Sequence, residues 1–170
     1  MGASTDTVGG AAVAIRSGAP AVPTQSGAPV TLRVRVPVTV DGAIHLDPPP
    51  AVAPDVSAPI ALAAARRAYG DPRGATRTRI ALTSYTNDAQ GTLDANGALV
   101  PDLVGRLSWA IVDYGGTCQA VGPAPARSAS PMPPPTFNHC LTISVIDAHT
   151  GAPLDSHLDG GPAVADIALR

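Results

Sequence analysis

Two alternating segments, separated by a proline-rich stretch that is bracketed by the chain's only two cysteines, constrain the fold most strongly. The segments are Leu107–Val112 and Cys140–Ile146. In each of them apolar side chains recur at every second position, which is typical of a β-strand with one buried face. The inward positions are Leu107, Trp109 and Ile111 in the first segment and Leu141, Ile143 and Val145 in the second. We therefore expect two core strands, with Trp109 as the largest core side chain.

The two cysteines, Cys118 and Cys140, flank the proline-rich stretch, where a disulfide would hold its two ends together. Closing a loop of this size stabilises a fold by about 3 kcal/mol in the chain-entropy model. Such a bridge requires an oxidising compartment. The alternative is a pair of free thiols that forms a partial metal site with His139. The disulfide is favoured, because a structural zinc site usually needs four ligands.

The composition excludes several common chemistries. Every cationic side chain is Arg and every acidic one is Asp, so the chain has no P-loop lysine, no Schiff-base lysine and no His-Glu-x-x-His zinc helix. The formal net charge of −2 gives no general attraction to nucleic acid. With one Phe, one Trp and three Tyr, the core must be built mainly from small side chains.

The chain shows no signal for insertion into a membrane. Its apolar runs are far shorter than the roughly 18 residues of a transmembrane helix. Residues 1–29 are rich in Gly, Ala, Ser, Thr and Pro, and we expect a flexible leader. The expected disulfide points to an extracellular or cell-envelope protein whose signal sequence is absent from this chain.

The next part of the chain predicts a strand pair and a helix. Residues 30–40 alternate as a half-buried strand, and Pro37 within it indicates an edge position or a bulge. Asp41-Gly42 indicates a tight turn, after which residues 43–46 return as a short partner strand. An Ala-rich helix follows at 58–69, with Ser57 as the N-cap and Gly70 at its end.

Five arginines form the densest positive cluster in the sequence. They lie at the end of the predicted helix and along the strand expected at 76–86, and are Arg66, Arg67, Arg73, Arg77 and Arg79. They predict either a site for an anionic glycan or lipid headgroup, or a solvated strand face beside a helix end whose dipole favours cations. The solvated face is the favoured interpretation. Since no aromatic side chains are interleaved, we expect no nucleic-acid binding.

These elements together predict an α+β fold. One Ala-rich helix would pack on an antiparallel sheet of about four strands, preceded by the N-terminal strand pair. Residues 30–170 would form a single domain, with the proline-rich loop at 119–139 and a small hairpin around the turn signal at 94–97.

The order of helix, strand, long excursion and strand, followed by Asp147-Ala148-His149-Thr150-Gly151, resembles the PepSY-type domain of secreted bacterial proteins. The resemblance covers about residues 56–155. It implies an α+β fold and a generally non-enzymatic, inhibitory or regulatory module outside the cytoplasm. This chain departs from the family in its cysteine-bracketed insertion, its added strand pair and the lack of an acidic residue directly after Gly151. These departures weigh against a specific peptidase-inhibitor role.

Catalysis has little support in the sequence. Asp155, Ser156 and His157 are adjacent, but neighbours on an extended segment point to opposite sides. His149, His157, Asp155 and Asp159 have suitable donor atoms for a metal, although no dedicated spacing supports a site. We expect an exported, non-enzymatic binding or regulatory domain without a cofactor, acting on a protein partner in the cell envelope. The alternatives are a structural component of an extracellular assembly or virion, and a metal-dependent hydrolase.

Overall fold

In the computed structural model, which describes residues 30–119, 136–160 and 169, seven strands form one sheet beside a twelve-residue helix. The elements are β1 (Val30–Arg33), β2 (Val38–Val40), β3 (Ile44–Asp47), α1 (Ala58–Tyr69), β4 (Arg77–Leu93), β5 (Leu99–Gln119), β6 (Thr136–Asp147) and β7 (Pro153–Gly160). The strands from β2 to β7 lie side by side in chain order, and each adjacent pair is antiparallel. β1 pairs in parallel with β4.

The predicted α+β fold with about four sheet strands is wrong, because the described chain is dominated by one larger sheet. β4 and β5 are 17 and 21 residues long, so the turn at 94–97 joins two long strands instead of forming a small hairpin. Residues 153–160 form β7, a strand that the sequence analysis did not predict. The leader at 1–29 and most of the proline-rich loop lie outside the described residues. The ends of that loop, at 119 and 136–139, belong to β5 and β6.

The N-terminal strand pair is present but is divided. Pro37 lies in the break between β1 and β2, as expected from its missing N–H. The predicted turn at Asp41-Gly42 is confirmed, since these residues have φ values of 50° and 72°. β1 and β3 occupy successive stretches of the same edge of β4, at Arg79–Leu82 and Ser84–Asn87 respectively.

Helix α1 lies on one face of the sheet because its inward side chains are small. Ala58, Ala61, Ala64 and Ala65 are buried against Ile80, Leu82, Leu107, Trp109, Ile111 and Ile146. The predicted core position of Trp109 is confirmed: the side chain is 5% exposed, and its Nε1 donates a hydrogen bond to the carbonyl oxygen of Val56 at 2.7 Å. The helix ends at Gly70, whose φ of 80° suits glycine. Within the described residues, no helix has the length and apolar content needed to cross a bilayer.

A second apolar cluster lies on the opposite face of the sheet, and we call this face the inner face. Its members come from the N-terminal strands, from β4 to β6 and from Leu169; they include Val34, Leu46, Ala81, Tyr85, Val112, Leu141 and Ile143. The Tyr85 hydroxyl on β4 donates to Asp155 on β7, although β5 and β6 lie between these strands in the sheet, and Asn87 Nδ2 donates to the same carboxylate oxygen at 2.7 Å. Strands so far apart in the order meet only because the sheet curves strongly around this cluster.

The Tyr85–Asp155 contact gives the fold a testable dependence on alkaline pH. Burial, and then the hydrogen bond to Asp155, raise the pKa of Tyr85 far above its ordinary value of about 10. The unfolded chain therefore releases this proton first, and stability that is fully present below about pH 10 is lost as the pH rises above it. This residue should contribute a slope of up to about 1.4 kcal/mol per pH unit.

In urea unfolding followed by Trp109 fluorescence, we expect Tyr85→Phe to show a shallower decline of the unfolding free energy above pH 10. At pH 7 the same substitution should cost about 1–3 kcal/mol, because the Asp155 carboxylate loses its hydroxyl donor. Equal slopes for the wild type and the variant would contradict this account.

Candidate functional site

An open cleft of about 310 Å³ lies between the end of α1 and the end of the β5–β6 pair. The residues that line it are Arg66, Tyr69, Gly70, Pro72, Arg73, Gly116, Thr117, Cys118, Cys140, Thr142, Ser144, Ser156 and Leu158. Several of these residues carry hydroxyl groups, and two arginines and both cysteines also line the cleft. The cleft brings together four residues that the sequence analysis had selected on separate grounds: the cysteines Cys118 and Cys140 and the arginines Arg66 and Arg73.

The predicted bridge between Cys118 and Cys140 is confirmed, with an Sγ–Sγ distance of 1.99 Å. It joins β5 to β6 where the register of their pairing shifts, between Tyr114 and Cys118. The disulfide therefore adds a covalent link at an irregular part of the ladder, which continues to Gln119. Neither sulfur is left as a thiolate ligand for the alternative metal site with His139, which is exposed.

Arg66 is held by a buried carboxylate that the sequence analysis missed. Its Nη1 and Nη2 donate to the two oxygens of Asp113 at 2.7 Å each, and its Nε lies 2.9 Å from Asp71. Asp113 is 1% exposed and also accepts a hydrogen bond from Thr78 Oγ1 at 2.5 Å. The hydrogen bonds to Asp113, and then the charges of Asp113 and Asp71, raise the pKa of Arg66 above its ordinary value against the effect of burial. The bidentate pair fixes the end of α1 against β4 and β5 and so sets one wall of the cleft.

The other four predicted arginines lie at the same end of the sheet. Arg73 is exposed at the cleft, and its loop is held by a hydrogen bond from Thr117 N to the Arg73 carbonyl at 2.9 Å. Arg77 stacks over the ring of Tyr114, 4.2 Å from its centroid. Arg67 is exposed on α1, and Arg79 is half-buried.

We call the end formed by Arg66, Arg67, Arg73, Arg77 and Arg79 with Asp71 and Asp113 the basic end. Only Arg66 and Arg73 of the five arginines line the cleft. Their predicted role in anion binding stays a prediction.

The two histidines considered as metal ligands, His149 and His157, contact different aspartates, neither of which belongs to the set considered with them. His149 Nδ1 contacts Asp55 at 2.7 Å, and His157 Nε2 contacts Asp41 at 2.9 Å. No group of three His, Cys, Asp or Glu residues suited to a metal ion occurs in the described part of the chain. Ser156 lines the cleft, whereas Asp155 contacts Tyr85 on the inner face, so these neighbours do point to opposite sides.

A hydrogen-bonded chain that sequence reasoning missed links the three strands β2, β3 and β4. Thr39 Oγ1 lies 3.1 Å from His45 Nδ1, and His45 Nε2 lies 3.0 Å from Asp88 Oδ2. Thr39 and His45 are direct cross-strand partners, a relation that spacing alone does not reveal. The aspartate side chain is 52% exposed, so this chain is a surface contact between strands.

The motif Asp147–Gly151, which carried the PepSY-type resemblance, forms the turn between β6 and β7. Asp147 Oδ1 accepts hydrogen bonds from the backbone N–H groups of His149 and Thr150, each at 2.9 Å. Burial opposes ionisation of Asp147, but these two backbone donors, together with the Thr150 side chain and the charge of Arg106, lower the pKa of the carboxyl group. The φ of 75° at Gly151 completes the predicted tight turn. The motif therefore has a structural explanation.

The far end of β4 and β5 projects from the sheet as a two-stranded hairpin, residues 89–104, which we call the arm. No residue from Asp88 to Arg106 is buried. At about 3.3 Å per residue, the strands of the arm extend roughly 20 Å. The arm begins at two irregularities in the β4–β5 register, next to Asn87. Bulges of this kind bend a strand and direct it away from the body of the sheet.

The surface of the arm combines aliphatic and acidic side chains. Four large aliphatic side chains are between 43% and 70% exposed: Leu93, Leu99, Val100 and Val104. Asp94 and Asp102 are its charged residues, and it contains no cation. At the tip, Asp94 Oδ1 accepts hydrogen bonds from the backbone N–H groups of Ala98 and Asn96 at 2.8 Å, which lower the pKa of Asp94.

Comparison of the chain with protein-family models, with curated proteins and with solved structures found no match in any of the three.

The disulfide beside the cleft gives a direct test of the compartment argument. Replacing both cysteines, as in Cys118→Ser with Cys140→Ser, should lower the unfolding free energy by about 3 kcal/mol, since the bridge closes a loop with a sequence separation of 22. Urea unfolding of this variant should match that of the reduced wild type. In native protein, we expect iodoacetamide to modify neither cysteine until a reductant is added. Uptake of two alkyl groups before reduction would contradict both the bridge and the argument for export.

Proposed function

We propose that this protein is an exported, non-enzymatic binding module that acts on a protein partner in the cell envelope, and that the arm contacts that partner. The observation that carries the proposal is the exposure of Leu93, Leu99, Val100 and Val104 on one projecting hairpin. Monomeric proteins rarely present large aliphatic side chains together unless a partner covers them.

The arm also offers backbone groups to a partner. β3 pairs with β4 only as far as Asn87, and β6 pairs with β5 only from Ser108 onward. On both sides, the strands of the arm have no neighbour among the described residues. A partner strand can add to such an edge, with backbone hydrogen bonds supplying affinity and alternate side chains supplying specificity. An isolated two-stranded hairpin is marginal in water, so a partner would also stabilise the arm.

The Cys118–Cys140 bridge supports the envelope location, because such bridges persist in oxidising compartments. The resemblance to PepSY-type domains is in keeping with a regulatory module outside the cytoplasm. The proposal does not depend on that resemblance, since the assignment of the arm rests on exposure and strand pairing alone.

Site-specific photo-crosslinking tests the proposal with a matched control inside the same chain. A photoreactive residue at Val104, on the arm, is compared with one at Val36, between β1 and β2; both side chains are 61% exposed. With each protein incubated in the envelope fraction of the cells that produce it, we expect adducts to a second protein from position 104 and not from position 36.

A second pair of variants tests whether the aliphatic surface is responsible. Leu93→Ser combined with Val104→Ser should leave the thermal unfolding midpoint nearly unchanged, because exposed positions change stability little. The same variant should lose the adduct when the photoreactive residue is placed at Val100. Adducts of equal yield from positions 104 and 36, or from the serine variant, would refute the role of the arm.

A further inference from the structure

The two ends of the molecule carry opposite charge. The arm has two aspartates and no cation. The basic end has five arginines, and Arg66 is the one that contacts its two aspartates, Asp113 and Asp71. Arg67 and Arg73 are the exposed arginines on the helix side of this end. Such a charge arrangement steers molecules toward a head-to-tail orientation.

An arm cannot reach the basic end of its own molecule. Both features belong to the β4–β5 pair, with Arg77 opposite Tyr114 at one end and Leu93 opposite Leu99 at the other. At about 3.3 Å per residue, the path along β4 between these positions is up to about 50 Å. The complementary surface for an arm is therefore on another molecule.

Pairing of two arms is disfavoured by their charge. Two arms in contact would bring four carboxylates together without a cation, and like charges opposed across an interface are destabilising. The basic end offers the opposite charge and also some apolar surface. Leu158 and Tyr69, which line the cleft, are 46% and 38% exposed.

The tip of the arm carries small side chains, and its chemistry suits the cleft. Between Asp94 and Leu99 the tip carries only Ala95, Asn96, Gly97 and Ala98, whose side chains are small. The open cleft is lined by Arg73 and by the hydroxyl-bearing residues Thr142 and Ser156, among others. An arginine and several hydroxyl groups are suitable partners for a carboxylate and for the exposed backbone of a turn.

We propose that the arm of one copy docks at the basic end of a second copy, with its tip in the cleft and Asp94 close to Arg73. This inference rests on the proposed function in assigning the arm as the contact element, and it identifies the partner as another copy of the chain. The contact uses different surfaces on the two copies, so each added copy presents a new arm or a new cleft. Such a contact builds a ring or a filament. It corresponds to the alternative expectation of an extracellular assembly.

Sedimentation velocity of the full chain, at concentrations up to about 100 µM, tests the contact. We expect species larger than a dimer at low salt, and a shift toward monomer as added NaCl screens the two ends. Arg73→Asp and Asp102→Arg should each weaken self-association at least about tenfold. Both positions are exposed, and circular dichroism melts verify folding. If Arg73→Asp fails to fold, Arg67→Asp makes the same charge change on the neighbouring helix.

Mixing the two variants distinguishes the docking mode. The Arg73→Asp protein retains a native arm, and the Asp102→Arg protein retains a native basic end. An equimolar mixture should therefore form 1:1 complexes that neither variant forms alone. Arg35→Asp, which changes the charge at an exposed arginine outside the basic end, should self-associate like the wild type.

Three results would overturn the inference. Unchanged self-association of the Arg73→Asp protein would show that arms pair with each other or use another surface. Loss of retention on dextran sulfate by this variant, with self-association unchanged, would assign the basic end to an anionic polysaccharide. A wild type that stays monomeric throughout would also refute it. If the adducts from Val104 to a different envelope protein persist in that case, the proposed function stands without the inference; if they are missing too, both fail.

Discussion

Because β4 pairs with β5 from Arg77 to Leu93, these two strands supply the frame on which every other described element is placed. The other edge of β4 is shared by β1 and β3, while β6 joins the far side of β5. Alternation along β4 then divides the two apolar clusters. Ile80 and Leu82 face the helix, and Ala81 and Tyr85 face the inner cluster. A single strand pair thus separates the two apolar clusters and defines the two ends of the sheet.

Because many core side chains are small, polar contacts determine how the helix is placed on the sheet. The helix contributes mainly alanine to its interface, so its position is specified by the Arg66–Asp113 pair and by the Trp109 bond to Val56. A buried ion pair often adds little net stability, since desolvation offsets its attraction, yet breaking one is costly. In the described residues no buried side-chain nitrogen or oxygen lacks a hydrogen-bond partner. Hydrogen-bonded polar contacts, and not large apolar side chains, therefore hold the helix in place beside the cleft.

Sequence patterns predicted the positions of strands and turns better than they predicted which strands pair with each other. Alternation located the strands around Trp109 and Ile143, and turn chemistry located Gly70 and Gly151, because these signals are local. The parallel pairing of β1 with β4 has no local signal. β7 was not predicted because two of its inner-face positions carry polar side chains, so its sequence lacks hydrophobic alternation. These side chains are Asp155, which accepts a hydrogen bond from Tyr85, and His157, which contacts Asp41.

The candidate site was predicted in the same partial way. The cysteines and arginines were identified by residue type, whereas Asp113 looked like the end of an apolar run. The arm was read as a small hairpin because exposure cannot be deduced from aliphatic residues beside a turn.

The acidic residues of the arm also explain how its exposed aliphatic surface is compatible with a defined function. Exposed strand edges with apolar side chains invite indiscriminate pairing, and proteins limit this hazard with charge and with proline. The arm contains Pro101, which lacks an N–H donor, directly before Asp102. At the facing position, Gly91 allows a close approach, since a Cβ there would lie 2.0 Å from the Val100 carbonyl oxygen. The aspartates repel another arm but attract a basic surface. The same charges therefore limit nonspecific association and favour a basic surface as the one that covers the aliphatic side chains.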